Sequence, residues 1–374
     1  MKYLKRKKTK PLWLIILADL AMVGIILVVF ALFHHVLPRM VGQSGFGKPQ
    51  MSEPAAPVVQ QEPEKTEPEP EAITEPEPQP EMSDEPSDET LPEEPEEPVV
   101  EEEPDLRTEW QKKFEDHFTE EVMLTENSYS SPEVSVTIET VDTDVGGNPV
   151  RYYLADVYIA SIENFTARTA YGEVVYFGIQ DPVQMAIDTN AIFAVNGDYM
   201  TVQKEGFLVR NGTVYASDKS NSICVLYPDG VMETYDAGTY VIEDILAREP
   251  LQVWSFGPAL LDENGQVKEE YDMMYGVAGI HPRCAVGYFE PGHYCFVAVD
   301  GRQNHSIGMR LTELAQIFAD LGCKAAYNMD GGASAVMMFD QRIYNEQSND
   351  RDLSDILLIC DSYYPMPAEE EVAE

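Results

Sequence analysis

A long run of this chain cannot be buried, and that limits what the rest can fold into. From about Gly45 to Asp105 the sequence is built on Glu-Pro repeats, Glu67-Pro68-Glu69-Pro70-Glu71 and then Glu93-Glu94-Pro95-Glu96-Glu97-Pro98. Only Lys65 offsets the acid beyond Gly47-Lys48. Like charges repel, and too little apolar surface is present to offset the entropy of an ordered chain. Proline-rich chain extends by about 3.1 Å per residue, so about 60 residues reach on the order of 180 Å. The composition predicts a disordered stalk over 38–105 and confines the fold to the residues C-terminal to it.

The chain N-terminal to the stalk reads as a membrane anchor. Residues 1–11 are basic, with Lys2, Lys5, Arg6, Lys7, Lys8 and Lys10, and an apolar run extends from Leu12 to Leu37. About 25 helical residues at ~1.5 Å each exceed the ~30 Å hydrocarbon core. His34, His35, Pro38 and Arg39 close the run with no small-residue cleavage site nearby, unlike a secretory signal peptide. Asp19 lies in the first third of the run, where a charge is tolerated near the interface. The expectation is a transmembrane helix over 12–37, a single-pass protein of the cell membrane, with a cytoplasmic N-terminus and an extracytoplasmic C-terminal domain.

The formal net charge is −41, which excludes nucleic acid as a partner, since its binding draws on clustered Lys and Arg. Against that background Arg283, Arg302 and Arg351 stand inside motif-like segments and together point to an anionic ligand, because a guanidinium fork matches phosphate oxygens. The 5 cysteines are odd in number and lack metal-type spacing, so they read as small buried hydrophobes.

From 106 to 364 the chain reads as one α+β domain of mixed or antiparallel sheets with packed helices, ending in an acidic tail over 365–374. Trp110, Phe114, Phe118 and Val122 have the spacing of one helix face between Leu106 and Met123. Period-two strands come next at Val134–Ile138 and Tyr152–Ile159, and Asp181 caps a helix opening on Pro182. The strand Ala191–Val195 then ends in Asn196-Gly197-Asp198. Asn211-Gly212, Asp229-Gly230 and Asn264-Gly265 are hairpin turns. The helix, strand and polar turn order recurs farther on. Leu311, Leu314, Ala315, Phe318 and Leu321 share a helix face, and Gly322 stands where a terminating glycine belongs. Asp300-Gly301-Arg302 ends the strand before that helix, and Asn328-Met329-Asp330-Gly331-Gly332-Ala333-Ser334 ends the strand after it. Short turns at strand ends thus deliver carboxylates, an arginine, an amide and a serine to one region.

Those residues carry a resemblance. Asp300-Gly301-Arg302, Ser306-Ile307-Gly308, Leu311-Thr312-Glu313-Leu314-Ala315 and Asn328 to Ser334 resemble the signature of the phosphodiester glycosidase family. Ala194 to Tyr199, Val209 to Gly212, Ser255 to Pro258, His281-Pro282-Arg283 and Arg351 to Leu357 extend the likeness in family order. Ala333, Met329 and Cys284 stand where the family often has glycine, leucine and threonine. The resemblance implies a hydrolase that releases a sugar from a sugar-1-phosphodiester, here in a cell-wall or exopolysaccharide polymer. That reaction needs a carboxylate pair and a grip on phosphate. Asp300 and Asp330 are the candidate pair, Glu313 and Asp198 their substitutes, and His305 with His281 the proton shuttles. Arg283, Arg302 and Arg351 would hold phosphate, Asn196, Asn328 and Ser334 sugar hydroxyls. The N–H groups of Gly331 and Gly332 would form an anion nest. No cofactor is expected; the alternative is a calcium or magnesium ion on Asp300, Asp330 and Asn328. A non-catalytic glycan-phosphate binding or scaffold protein on the same fold is the second reading, and a metal-dependent phosphodiesterase the third.

Overall fold

The computed structural model describes residues 105–365 apart from 176, 200–205, 219–221 and 272–276. The basic tail 1–11, the expected anchor 12–37, the stalk 38–105 except Asp105, and the tail after Pro365 lie outside the described residues. Among the described residues no helix is long and apolar enough to cross a membrane.

Antiparallel pairing dominates the domain. A seven-stranded sheet runs in spatial order Met123–Leu124, Ser128–Ser130, Val134–Val145, Asn148–Ile159, His293–Val299, Arg283–Glu290 and Ala325–Asn328. A five-stranded sheet orders Arg342–Ile343, Met337–Phe339, Ala191–Asn196, Asp355–Cys360 and Phe165–Thr169, and another orders Met232–Tyr235, Ile223–Leu226, Gln252–Trp254, Phe207–Arg210 and Thr213–Ser217. The first two sheets share a core. Val136, Ile138, Val157 and Phe296 from one interleave with Phe165, Phe193, Val195 and Leu357 from the other. The α+β expectation holds in its antiparallel sheets, but the helices are few and short and the fold is mostly sheet.

The helix Leu311–Leu321 buries Leu311, Leu314, Ala315 and Phe318 against Ala285, Val297 and Ala326 of the large sheet. Leu321 is exposed, because the stripe has rotated off the sheet by the last turn. Gly322 takes the left-handed conformation at φ 81°. Its N–H donates to Ala319 O and that of Cys323 to Phe318 O, the double closure of a Schellman motif. The strands on either side of this helix, His293–Val299 and Ala325–Asn328, each pair antiparallel with Arg283–Glu290 between them. They therefore run parallel to one another and place the Asp300 and Asp330 turns at the same end of the sheet.

Two expectations need correction. The helix-strand units do not repeat in topology, since Ala191–Asn196 lies between two antiparallel neighbours of the smaller sheet. Nor does one helix fill Leu106 to Met123. Thr108 caps the helix Glu109–Lys113, a single 3-10 turn comes after it, and Val122 and Met123 are exposed. Trp110 and Phe114 instead anchor this stretch, packing over Gly230 and Gly292, where an added Cβ would come within 3.0 Å or less of a ring.

Candidate active site

Asn196, Arg210, Asn328 and Asp355 all stand at strand ends, and the Asp330 turn closes over them. Asn196 Nδ2 donates to Asp330 O at 2.7 Å and to Gly197 O at 3.1 Å, while Val336 N–H donates to Oδ1. Asn196 is thus a clasp between a sheet end and the turn, and its amide is committed to backbone rather than to a sugar. Gly197 answers a steric demand, because a Cβ there would lie 2.2 Å from Asp355 Oδ2.

Beneath the turn lies a buried ionic group. Arg210 Nη2 reaches Asp198 Oδ1 at 2.8 Å and Asp355 Oδ2 at 2.7 Å, and all three side chains are buried. Ser255 N–H donates to Asp198 Oδ2, and Ser354 Oγ donates to Asp355 Oδ1. Burial pushes the Asp198 carboxyl up to about 6, opposed by the Arg210 charge and reinforced by Asp355. Asp198, expected as a substitute for one of the carboxylate pair, is held here in a buried ion pair with Arg210.

Asp330 stands above this group and is only half-buried. Its Oδ1 accepts the N–H of Gly331 at 2.8 Å. Burial raises its pKa, Ser334 and the Arg351 charge lower it, and the Asp355 charge raises it further. The Ser334 hydroxyl lies beside the carboxylate without reaching hydrogen-bond geometry. Asp330, Ser334, Asn196, Tyr199, Ser354 and Asp355 border a narrow recess. Tyr199 also borders a cleft of about 680 Å³ with Phe177, Ile179, Asp181, Asp350, Arg351 and Asp352. The Arg351 guanidinium lies 5.0 Å from the Tyr199 ring centroid, a cation–π contact, and among the described residues no carboxylate pairs with it. Arg302 is exposed, with its Nη2 3.0 Å from where a Cβ on Gly332 would sit, so its charge covers the same turn.

Asp300 behaves differently from Asp330. It is 1 % exposed, and Oδ1 accepts Asn345 Nδ2 and Glu346 N–H. Its Oδ2 accepts the Tyr153 hydroxyl at 3.0 Å and faces His305 Nε2 at 3.2 Å. Burial raises its pKa, opposed by the hydrogen bonds of Asn345, His305 and Tyr153 and by the His305 charge. A carboxylate with four neighbours in place has no open oxygen for a sugar, so Asp300 and Asp330 do not form a matched pair. His305 is held between Asp300 and Glu346.

Three further assignments change for plain reasons. Arg283 is buried, and its Nε and Nη2 donate to the carbonyls of Met309, Val277 and Gly279. Desolvation pushes its pKa down to about 10, and it braces backbone instead of gripping an anion. Glu313 Oε2 accepts the N–H of Arg310 at 2.8 Å, a helix-capping contact. Gly331 N–H is taken by Asp330 and Gly332 N–H by Pro282 O, so the anion nest does not form. Asn328 Nδ2 donates to Gly257 O, and its buried Oδ1 has no donor among the described residues. No group of three or more His, Cys, Asp or Glu side chains suited to a metal ion occurs among the described residues.

Arg210 and Asp355 escaped prediction as site residues, although both lie in segments that resemble the family. The available signal was a charge at the end of an otherwise apolar strand, Phe207-Leu208-Val209-Arg210, which marks a buried ion pair. Tyr199 also lies in such a segment, Ala194 to Tyr199, but carries no charge that would have marked it.

Residues 189–360 match the phosphodiester glycosidase family. The zebrafish N-acetylglucosamine-1-phosphodiester alpha-N-acetylglucosaminidase catalytic domain, auto-inhibited by its pro-peptide, is similar in fold at a TM-score of 0.53 and 20% identity, over 64% of this chain and 88% of that one. The SPbeta prophage-derived uncharacterized protein YomE of Bacillus subtilis (strain 168) is 24% identical over 184 residues, 46% of this chain. The match spans 29% of that curated relative's own length.

Proposed function

We propose, from the match of residues 189–360 to the phosphodiester glycosidase family, that the protein hydrolyses a sugar-1-phosphodiester at the glycosidic carbon, with Asp330 as the acting carboxylate. The observation that carries the reading is the setting of Asp330: half-buried above an ionic floor, with raised proton affinity and an arginine charge acting on it. A phosphodiester departs without needing a proton, so one carboxylate that takes a proton from water is enough to drive the displacement. Arg351, free of ion pairs among the described residues, and Arg302 over Gly332 would meet the departing phosphate. Tyr199 would offer a ring face to the sugar. The proposed substrate is a wall or exopolysaccharide glycopolymer, reached by a domain that the basic start and the apolar run of residues 12–37 tether to the outer face of a cell membrane.

Incubation of the full chain with a sugar-1-phosphodiester, with and without chelator, tests this by reading free sugar against sugar phosphate. Release of free sugar and a phosphate monoester is expected, together with its loss in Asp330→Asn. That variant should still bind a non-hydrolysed sugar phosphonate, because it removes a group needed chiefly in the transition state. Binding without turnover, weakened by Arg351→Lys, would establish the glycan-phosphate binding protein instead. Release of sugar-1-phosphate would mean P–O cleavage, and chelator-sensitive release would bring in the metal ion.

A further inference from the structure

Cys295 and Cys323 are buried, and their sulfurs lie 3.6 Å apart, in van der Waals contact. We propose that these two thiols form a structural disulfide in this protein, tying the strand that leads to Asp300 to the chain that leads into Asp330.

Each cysteine is placed by its own local structure. Cys295 lies in the strand His293–Val299, opposite Gly287. A Cβ on Gly287 would fall 2.7 Å from Cys295 Sγ and 2.5 Å from Phe318, so the missing side chain is what gives the sulfur its room. Cys323 comes directly after Gly322 in the Schellman closure, the position that usually holds an apolar residue against the last helical turn. Any small hydrophobe would satisfy that contact. A second sulfur facing it is not explained by packing, because other aliphatic side chains fill the same cluster elsewhere.

A disulfide needs the sulfurs at about 2.05 Å, roughly 1.5 Å closer than here. The chemistry is thiol–disulfide exchange. One thiol loses its proton and attacks a disulfide oxidant such as oxidised glutathione, releasing one glutathione thiolate. The second thiol then displaces the other glutathione, and the two protons and two electrons leave with two reduced glutathiones. Burial raises the pKa of Cys295 well above the ordinary thiol value, so the thiolate is scarce once the core has closed. The bond therefore forms while the strand and helix are still assembling. Cys224 and Cys284 are buried elsewhere in the core and Cys360 lies in the smaller sheet, so these three stay free. This inference does not depend on the glycosidase reading.

The test is to denature and reduce the full chain, refold it with mixed oxidised and reduced glutathione, alkylate it and map the peptides by mass. One linked pair, Cys295 with Cys323, is expected, with Cys224, Cys284 and Cys360 alkylated. The oxidised protein should melt several degrees above its reduced form. A Cys295→Ala variant, which keeps the sulfur pocket unstrained, should show no response to reductant. Alkylation of all five cysteines after oxidative refolding, or a linkage between any other pair, would overturn the proposal. The mass map gives this answer even if the variant folds poorly.

Discussion

At the residue scale, the Asp198–Arg210–Asp355 group sets two opposing demands. Two buried carboxylates share one guanidinium, so ionising both leaves excess negative charge under Asp330. Removing the cation is worse than keeping it, because a buried pair that loses one partner leaves charge uncompensated. Arg210→Met should therefore cost about 3–5 kcal/mol in denaturant unfolding at neutral pH. The raised pKa of Asp198 gives a second outcome with a definite sign. An unfolded Asp titrates at ~3.9, whereas burial pushes the Asp198 carboxyl in the fold up to about 6. Between those values the native state holds a proton that the unfolded chain has released, so this group's contribution is complete below the lower value. It is lost as pH rises through the upper one. The stability difference between the parent and Asp198→Asn, tracked by denaturation across that window, should shift against the parent as pH rises. A difference that stays flat would show that Asp198 is already ionised throughout.

At the scale of elements, the helix Leu311–Leu321 and the two turns it separates were legible in the sequence. A 3.6-residue apolar period, a terminating glycine and Asp-Gly pairs are local signals. The role of Glu313 was not. Three residues after Arg310, it looks like a stray carboxylate near a motif, but it closes the helix start. Glu313→Gln, which keeps an acceptor at that point, should leave sugar release unchanged. Glu313→Ala should cost about 0.5–2 kcal/mol of stability with turnover per folded molecule unaltered. Loss of turnover in the Gln variant would return Glu313 to the reacting group. Long-range contacts explain what stayed hidden. Arg210 meets Asp355 across 145 residues of chain, and Arg283 finds carbonyls in segments that carry no signature. Sequence spacing ranks a charged side chain as interesting, yet the same donors can face a ligand or brace backbone. Only tertiary placement distinguishes Arg351 from Arg283. Gly197 shows the same limit: its turn was evident, but the carboxylate pressed against it was not.

At the scale of the whole molecule, the domain's action depends on where it is held. If residues 12–37 are an uncleaved anchor, protease added to intact cells should remove the domain while the N-terminus stays protected; full protection or release of an anchor-free form would sink that topology. The candidate site itself divides into two regimes. Below Asp330, each residue is fixed by another: Gly197 by Asp355, Asp355 by Arg210, Asn196 by the turn. Around the cleft mouth, Phe177, Asp350 and Asp352 are exposed and Arg351 rests on a ring. A lineage can thus redraw the rim without disturbing the floor. Libraries randomised at Phe177, Asp350 and Asp352 should yield folded proteins with altered ligand preference, whereas the same diversity at Gly197 should yield few survivors. Evolvability in this fold is segregated by depth, with reactivity inherited from the floor and selectivity left open to drift at the lip.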